Sequence, residues 1–344
     1  MAEGLPKGCE LCLKGSKMVL FVTGICGKGC FYCPLSASRK DKDVIYADEV
    51  PIKNDLEIIL ECKAIDAEGT GITGGDPLIK ARRTLKYVRL LKREFGREHH
   101  IHLYTNGMFA ERDVLKQLKD AGLDEIRFHP SREFWGRIAA AKEIGMYAGA
   151  ELPAIPGEEE KIKEFVKYLK EIKADFLNLN QLEFSPENAI QLKQRGHSLE
   201  KGEMSAVMGS EETAINIIKW AKTEGIPFPI HYCPSYVKDS IQTKKRLLRR
   251  ARNVRRPYEE ISGDGLVGRV VIKTDSGNPR ELRRKLHEFA GIPLYALGVS
   301  EDGRSLEMHR KFLETAKRFL KDATFEYVQS YPTFFREKFA GFPC

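Results

Sequence analysis

No stretch of this 344-residue chain approaches the roughly 18 to 20 uninterrupted apolar residues that a membrane-spanning helix needs. The N-terminal run Met1-Ala-Glu-Gly-Leu-Pro-Lys-Gly-Cys-Glu lacks the apolar core of a secretory signal. There is no internal sequence repeat and no segment of low complexity. Membrane insertion, secretion and wholesale disorder are set aside on these grounds, and a cytoplasmic location is expected. An excess of acid is also missing. Lys and Arg outnumber Asp and Glu by 57 to 49, a net charge of +8. The basicity is not general either, because residues 238–256 hold nine bases and one acid, which accounts for the whole excess.

What is present is cysteine, unevenly spread. Cys9, Cys12, Cys26, Cys30 and Cys33 fall near the N-terminus, while Cys62, Cys233 and Cys344 are scattered. In a chain without a secretory signal, clustered cysteines point to metal or redox chemistry before disulfides. The run Cys26-Gly-Lys-Gly-Cys30-Phe-Tyr-Cys33 places three thiolates on one short loop, a soft anionic nest suited to iron–sulfur ligation. A cubane cluster has four irons, so three cysteines leave one open to a small chelating ligand.

The loop sits in a chain of alternating elements. Lys17 to Thr23 reads as a buried strand that delivers the backbone directly into it. Further strands are expected at 69–73, 101–105, 125–129, 146–152, 176–184 and 227–233, mostly separated by one amphipathic helix each. Seven strands in this order argue for parallel β/α units. Residues 261–272 open a further α/β unit, with helices expected near 279–289 and 305–320 and a strand near 324–329. The expected organisation is an N-terminal cysteine-containing extension (1–16), a barrel (17–235), a basic helix or linker (236–260) and a small α/β module (261–344).

The cysteine loop after the first strand, Tyr32 before the third cysteine and Gly74-Gly75-Asp76-Pro77 after the second strand resemble the radical S-adenosylmethionine (radical SAM) superfamily. Over residues 17–235 the layout is similar to its pyruvate formate-lyase activating enzyme branch. The resemblance implies a partial (β/α)6 barrel, open at one side, with the chemistry at the C-terminal ends of the strands. It implies that Cys26, Cys30 and Cys33 hold a [4Fe–4S] cluster whose open iron is chelated by the methionine moiety of S-adenosylmethionine, with Tyr32 near the adenine. Gly74, Gly75 and Asp76 match the family's Gly-Gly-Glu-Pro, whose exposed backbone receives the methionine amino group. Asp replaces Glu here, which leaves the turn and alters the side chain. Glycine at a strand end permits close approach of backbone to ligand.

Period-two alternation gives an independent signal. His102, Tyr104 and Asn106 share one face of their strand, Arg127 and His129 another, and Asn178 and Asn180 a third, each opposed by apolar residues. In a barrel wrapped by helices the polar set faces the lumen, where it meets a ligand, water or itself. Asn106, His129 and Asn180 are candidate cofactor contacts, and Glu151 is a candidate acceptor for a ribose hydroxyl.

Cys9-x2-Cys12 is half of a metal site that Cys233 with His231, or Cys344, could complete as structural zinc or an auxiliary iron–sulfur cluster. Unpaired thiols are the other reading. Val237, Ile241, Leu248 and Ala251 recur at helical spacing, so residues 238–256 can form an amphipathic helix with a basic face fit for a phosphate backbone, or a merely solvated one. The expected activity is reductive cleavage of S-adenosylmethionine, fed by a low-potential donor of ferredoxin or flavodoxin type. The 5′-deoxyadenosyl radical so formed abstracts hydrogen from a substrate, with tRNA or another RNA favoured by the basic helix. A glycyl-radical activating enzyme, or a non-catalytic RNA-binding iron–sulfur protein, are the alternatives.

Overall fold

The computed structural model describes residues 4–274 and 278–344, so the first three residues of the N-terminal extension lie outside the described residues. It divides into two compact units, Met1–Lys63 with Ala67–Gln242, and Ala64–Asp66 with Thr243–Cys344.

The first unit begins with a helix, α1 (Lys7–Lys14), closed by Gly15 in the left-handed conformation. Strand β1 (Lys17–Phe21) follows, then a small hairpin of β2 (Tyr46–Ala47) and β3 (Val50–Pro51) on its outer edge. From there strand and helix alternate: α2 (Asp55–Ala64), β4 (Gly69–Thr73), α3 (Ala81–Phe95), β5 (His100–Thr105), α4 (Arg112–Asp120) and β6 (Glu125–Phe128). The series continues with α5 (Gly136–Glu143), β7 (Tyr147–Ala154), α6 (Glu159–Glu171), β8 (Leu177–Gln181), α7 (Ala189–Gln194), α8 (Ser210–Thr223) and β9 (Ile230–Cys233). The sheet runs β3-β2-β1-β4-β5-β6-β7-β8-β9, and every pairing from β1 onward through β4 to β9 is parallel. β1 and β9 do not pair, so the barrel is partial and open between them. Met18, Leu20, Ile72, Ile101, Leu103, Ile126, Phe128, Leu177 and Leu179 are buried to the last atom, as expected of strand faces covered by helices. Among the described residues no helix is long and apolar enough to cross a membrane.

The second unit carries α9 (Lys244–Val254), β10 (Glu260–Ile261), β11 (Val267–Thr274), α10 (Pro279–Ala290), β12 (Leu297–Val299), β13 (Leu306–Met308), α11 (Leu313–Phe319), β14 (Ala323–Ser330) and β15 (Lys338–Pro343). Its sheet, β12-β13-β11-β14-β15 with β10 on β11, is antiparallel throughout. α10 and α11 cover one face through Leu286 and Ala316, which pack on Val270, Ile272, Leu306 and Met308.

Two expectations change here. The helix expected over 305–320 is in part a strand: Leu306 and Met308 pair with β11, and only Leu313–Phe319 is α-helical. Alternating Leu-Glu-Met suits either reading until Glu307 is seen buried against Arg269 and Tyr258. The basic helix over 238–256 is a π-helical stretch, Val237–Thr243, followed by α9. Its basic face is largely engaged. Arg246 and Arg250 are buried, Arg250 Nε donates to the Pro332 carbonyl (2.6 Å), and Arg249 donates to the Ile65 carbonyl (2.9 Å) and pairs with Asp66 (2.8 Å). Lys244 pairs with Asp264, and Arg256 with Glu301 and Glu307.

Candidate active site

The loop that leaves β1 is clasped by the loop that leaves β4. The Gly75 and Asp76 N–H groups donate to the carbonyls of Thr23 (2.7 Å) and Ile25 (2.9 Å), just ahead of Cys26. A Cβ on Gly74 would lie 2.4 Å from the Thr23 carbonyl oxygen, and one on Gly75 would lie 2.5 Å from that of Ile25. Glycine is therefore required by backbone packed on backbone, a reason the sequence did not reveal. Asp76 turns inward. Its buried carboxylate accepts from Leu78 N–H (2.8 Å), Asn106 N–H (2.8 Å) and the Thr105 hydroxyl (3.0 Å), so it fixes the turn and does not face the cavity.

Cys26, Cys30 and Cys33 are free thiols, half-buried, and all three line one cavity of about 300 Å³ with Gly74, Gly75 and Asn106. Asn106 Nδ2 reaches the carbonyl (3.4 Å) and the Sγ (3.7 Å) of Cys26, pinning the first cysteine to the end of β5. Tyr32 and His129 form another wall. His129 Nδ1 lies 2.8 Å from the Glu151 carbonyl, which can only accept, so Nδ1 carries the proton and Nε2 accepts from the Tyr32 hydroxyl at 2.6 Å. Burial, helped by the Lys28 ammonium, lowers His129 to about 4, in keeping with a neutral ring.

Behind this cavity lies a second chamber of about 530 Å³, within the first unit. Its hub is Arg127, fully buried, with Nε on Glu125 (2.5 Å) and Nη1 on Glu151 (2.8 Å). Burial alone would raise Glu151, but Arg127 and the amides of Asn180 (2.8 Å) and Asn178 (3.1 Å) more than offset it, and its carboxyl falls to about 2. The carboxylate expected to accept a ribose hydroxyl is thus already held by three protein donors. α1 closes the chamber from below. A Cβ on Gly8 would come within 2.7 Å of both Arg127 Nη2 and His102 Nδ1, so only glycine lets the helix settle there.

Cys9, Cys12 and Cys233 all line this chamber, with His231 beside them, while Cys344 is exposed in the other unit. Cys9 Sγ accepts from Arg127 (3.3 Å) and Asn178 (3.3 Å), Cys12 donates to Gln242 Oε1 (2.9 Å), and His231 Nε2 donates to the Gly4 carbonyl (3.0 Å). These are bonds to protein groups, and burial pushes Cys233 up to about 12 and raises Cys9 as well. Among the described residues, no three His, Cys, Asp or Glu side chains converge where one metal ion could sit. A second metal site at Cys9, Cys12 and Cys233, zinc or iron–sulfur, is therefore not shown. The loop cysteines suit a cubane, which offers each thiolate a different iron and so calls for a spread triad.

The chain matches the Radical SAM superfamily over residues 20–131. A protein of Methanocaldococcus jannaschii, named for a proposed role as a glycyl-radical enzyme activating enzyme, is 43% identical over 299 residues, covering 83% of this chain and 78% of that protein. The chain belongs to the radical SAM superfamily. Membership implies a [4Fe–4S] cluster and S-adenosylmethionine as cofactors. Among solved radical SAM structures, Streptococcus suis SuiB bound to its precursor peptide SuiA aligns with a TM-score of 0.49 at 14% identity, covering 73% of this chain and 58% of that chain. Escherichia coli coproporphyrinogen III oxidase aligns with a TM-score of 0.40 at 11% identity, covering 99% of this chain and 76% of that chain. The chain therefore spans well under two thirds of SuiB.

Proposed function

We propose that this radical SAM enzyme holds its [4Fe–4S] cluster on Cys26, Cys30 and Cys33, and that it draws hydrogen from a glycyl residue of a partner protein. The relationship to the M. jannaschii protein carries the choice of substrate. When bound, the cluster supplies the electron, received from a low-potential donor, that splits S-adenosylmethionine into methionine and a 5′-deoxyadenosyl radical. The protein's own part is placement. Asn106 ties Cys26 to β5, the Gly74-Gly75 turn offers backbone at the cavity wall, and the Tyr32–His129 pair fixes a neutral aromatic wall for the adenine. In the lumen Arg127 is paired with both Glu125 and Glu151, which holds those charges in place.

The RNA reading rested on residues 238–256, and the burial or pairing of Arg246, Arg249, Arg250 and Arg256 withdraws much of the face it needed. The test is anaerobic reconstitution with dithionite and S-adenosylmethionine. 5′-Deoxyadenosine should form and should be lost in Cys30→Ala; formation that survives this change would sink the cluster assignment. With a glycyl-radical enzyme deuterated at glycine Cα, label should appear in 5′-deoxyadenosine together with a glycyl radical signal by electron paramagnetic resonance. Label-free product alone would overturn the choice of substrate.

A further inference from the structure

Between β8 and α8 the chain makes a long detour, residues 182–209, that carries α7. This segment turns back onto the cysteine loop. Leu182, Leu192 and Val207 join Ile155 in a buried cluster, and Phe31 and Tyr32 pack against it. These are the two residues between Cys30 and Cys33. The Phe31 ring also lies parallel to that of His197, with centroids 6.4 Å apart, and the Arg195 guanidinium sits 4.3 Å from its centre. One distant segment thus grips both residues of the short spacer.

The grip includes one buried polar contact. Asn188 is 1% exposed, and its Nδ2 donates to the Tyr32 carbonyl (3.0 Å) and to the Glu183 carbonyl (2.9 Å), while its Oδ1 accepts from the Ser185 N–H (2.7 Å). Two carbonyls at one end of the amide and an N–H at the other fix which way it points. The bonds to Glu183 and Ser185 are local and shape the entry to α7. The bond to Tyr32 spans 156 residues and serves no local turn. Its effect falls on Cys33. The Tyr32 carbonyl and the Cys33 N–H belong to one planar peptide unit, which also contains the Cys33 Cα. Asn188 holds that unit by its oxygen, and the Cys30 carbonyl holds it by its N–H (3.1 Å). Held at both ends, the peptide resists rotation, and the Cys33 Cα is kept in place relative to Cys30.

We infer that Asn188 is a positioning residue for the cluster, acting through the Tyr32–Cys33 peptide to keep the third thiolate where the cluster needs it. The inference rests on the reading of Cys26, Cys30 and Cys33 as cluster ligands, and adds to it a residue far outside the cysteine loop. Loss of a partner that orients the ligands of a metal group typically costs about 10–100-fold in metal affinity or activity. Asn188→Asp is the sharpest probe because it is nearly isosteric. The new carboxylate has no proton to donate and would face two carbonyl oxygens. Burial there favours the neutral acid, and the protonated form can again donate one bond.

The full chain is reconstituted anaerobically and left unreduced, and iron loss to excess chelator is timed at several pH values, each variant against the unaltered protein at the same pH. In Asn188→Asp, loss should be at least about tenfold faster near pH ~8, and the ratio should fall towards pH ~6 as the carboxyl takes up a proton. In Asn188→Ala, the ratio should be raised by a factor that does not change with pH. Ser185→Ala removes a hydroxyl that accepts from the Asn188 N–H (3.3 Å) in the same turn but leaves the Tyr32 bond, and it should match the unaltered protein. The electron paramagnetic resonance signal of the reduced cluster should differ in both Asn188 variants, because a displaced thiolate changes the field at its iron, and should not differ in Ser185→Ala. Should Asn188→Asp fail to fold, Asn188→Ala carries the test through its rate and its signal. The inference is overturned if both Asn188 variants hold iron as the unaltered protein does, if Ser185→Ala loses iron as fast as they do, or if the Asn188→Asp ratio is indifferent to pH. A cluster that survives in Cys30→Ala would sink the ligand reading and take this inference with it. A cluster that needs Cys30 and ignores Asn188 overturns this inference alone.

Discussion

The cavity at the cysteine loop and the chamber behind it share walls at Tyr104 and His129, yet they are assembled in opposite ways. The first takes its reactive groups from one contiguous run, Cys26 to Cys33, and leaves their sulfurs almost free of protein partners. The second gathers Cys9 from α1, Lys17 from β1, Arg127 from β6, Glu151 from β7, Asn178 from β8 and Cys233 from β9. Most of its groups bond to one another before any ligand arrives. A loop of unengaged thiols is a socket for a group that brings its own bonding, whereas a network convergent from six elements is a rigid frame. Substitutions in the socket should therefore cost activity, and substitutions in the frame should cost stability first.

The largest effect expected on this contrast is Cys30→Ala, which should remove S-adenosylmethionine cleavage while leaving the urea midpoint nearly unchanged. A collapse of the fold in that variant would erase the distinction. Next is Arg127→Met, which strands Glu125 and Glu151 in a buried site and should cost about 3–5 kcal/mol in urea unfolding. The pH dependence should change sign with it. In the unaltered protein Glu151 is depressed from 4.5 to about 2, so its contribution is complete above pH 4.5 and is lost as pH falls towards 2. Without Arg127, burial raises the folded-state value above the unfolded one, and acidification through that range should relieve the variant.

Gly8→Ala comes third. Its methyl group would meet Arg127 and His102, neither free to move, and overpacking of this kind costs about 1–3 kcal/mol. A neutral result would mean that α1 is not seated as described. The smallest effect expected is that of Tyr32→Phe, about 1 kcal/mol for one hydrogen bond. Its clearer signature is His129, held at about 4 against an ordinary 6.5, so that stability falls as pH drops from 6.5 to 4. With the hydroxyl gone Nε2 is open to a proton, and an NMR titration should show His129 moving upward.

The same contrast explains what could be read in the sequence. Strand and helix alternation was legible because each parallel strand carries its own apolar face, as Ile101 and Leu103 or Leu177 and Leu179 do. The cysteine loop was legible because its chemistry is local. Alternation also put Arg127 on an inward face, but nothing along the chain says that Glu125 and Glu151 flank it, or that a glycine of α1 rests on it. The basic segment misled for a related reason. A count of charges does not reveal that Arg249 meets Asp66 or that Arg250 caps the Pro332 carbonyl, partners far away in sequence. β13 was hidden by its own buried Glu307, which broke the expected polar face.

The seat of α1 has a further consequence, in the order of events by which the chain matures. Gly8 bonds to Glu125, Cys9 to Asn178 and Cys12 to Gln242, across sequence separations of 117, 169 and 230 residues. A ribosome releases α1 first, but its partners on β6, on β8 and in the π-helical stretch emerge only after most of the barrel has been made. Contacts of such span are slow to close, because the loop entropy must be overcome before they contribute. The helix that seals the chamber is thus synthesised before the strands it closes and docked after them, and until it docks the lumen stays open from below.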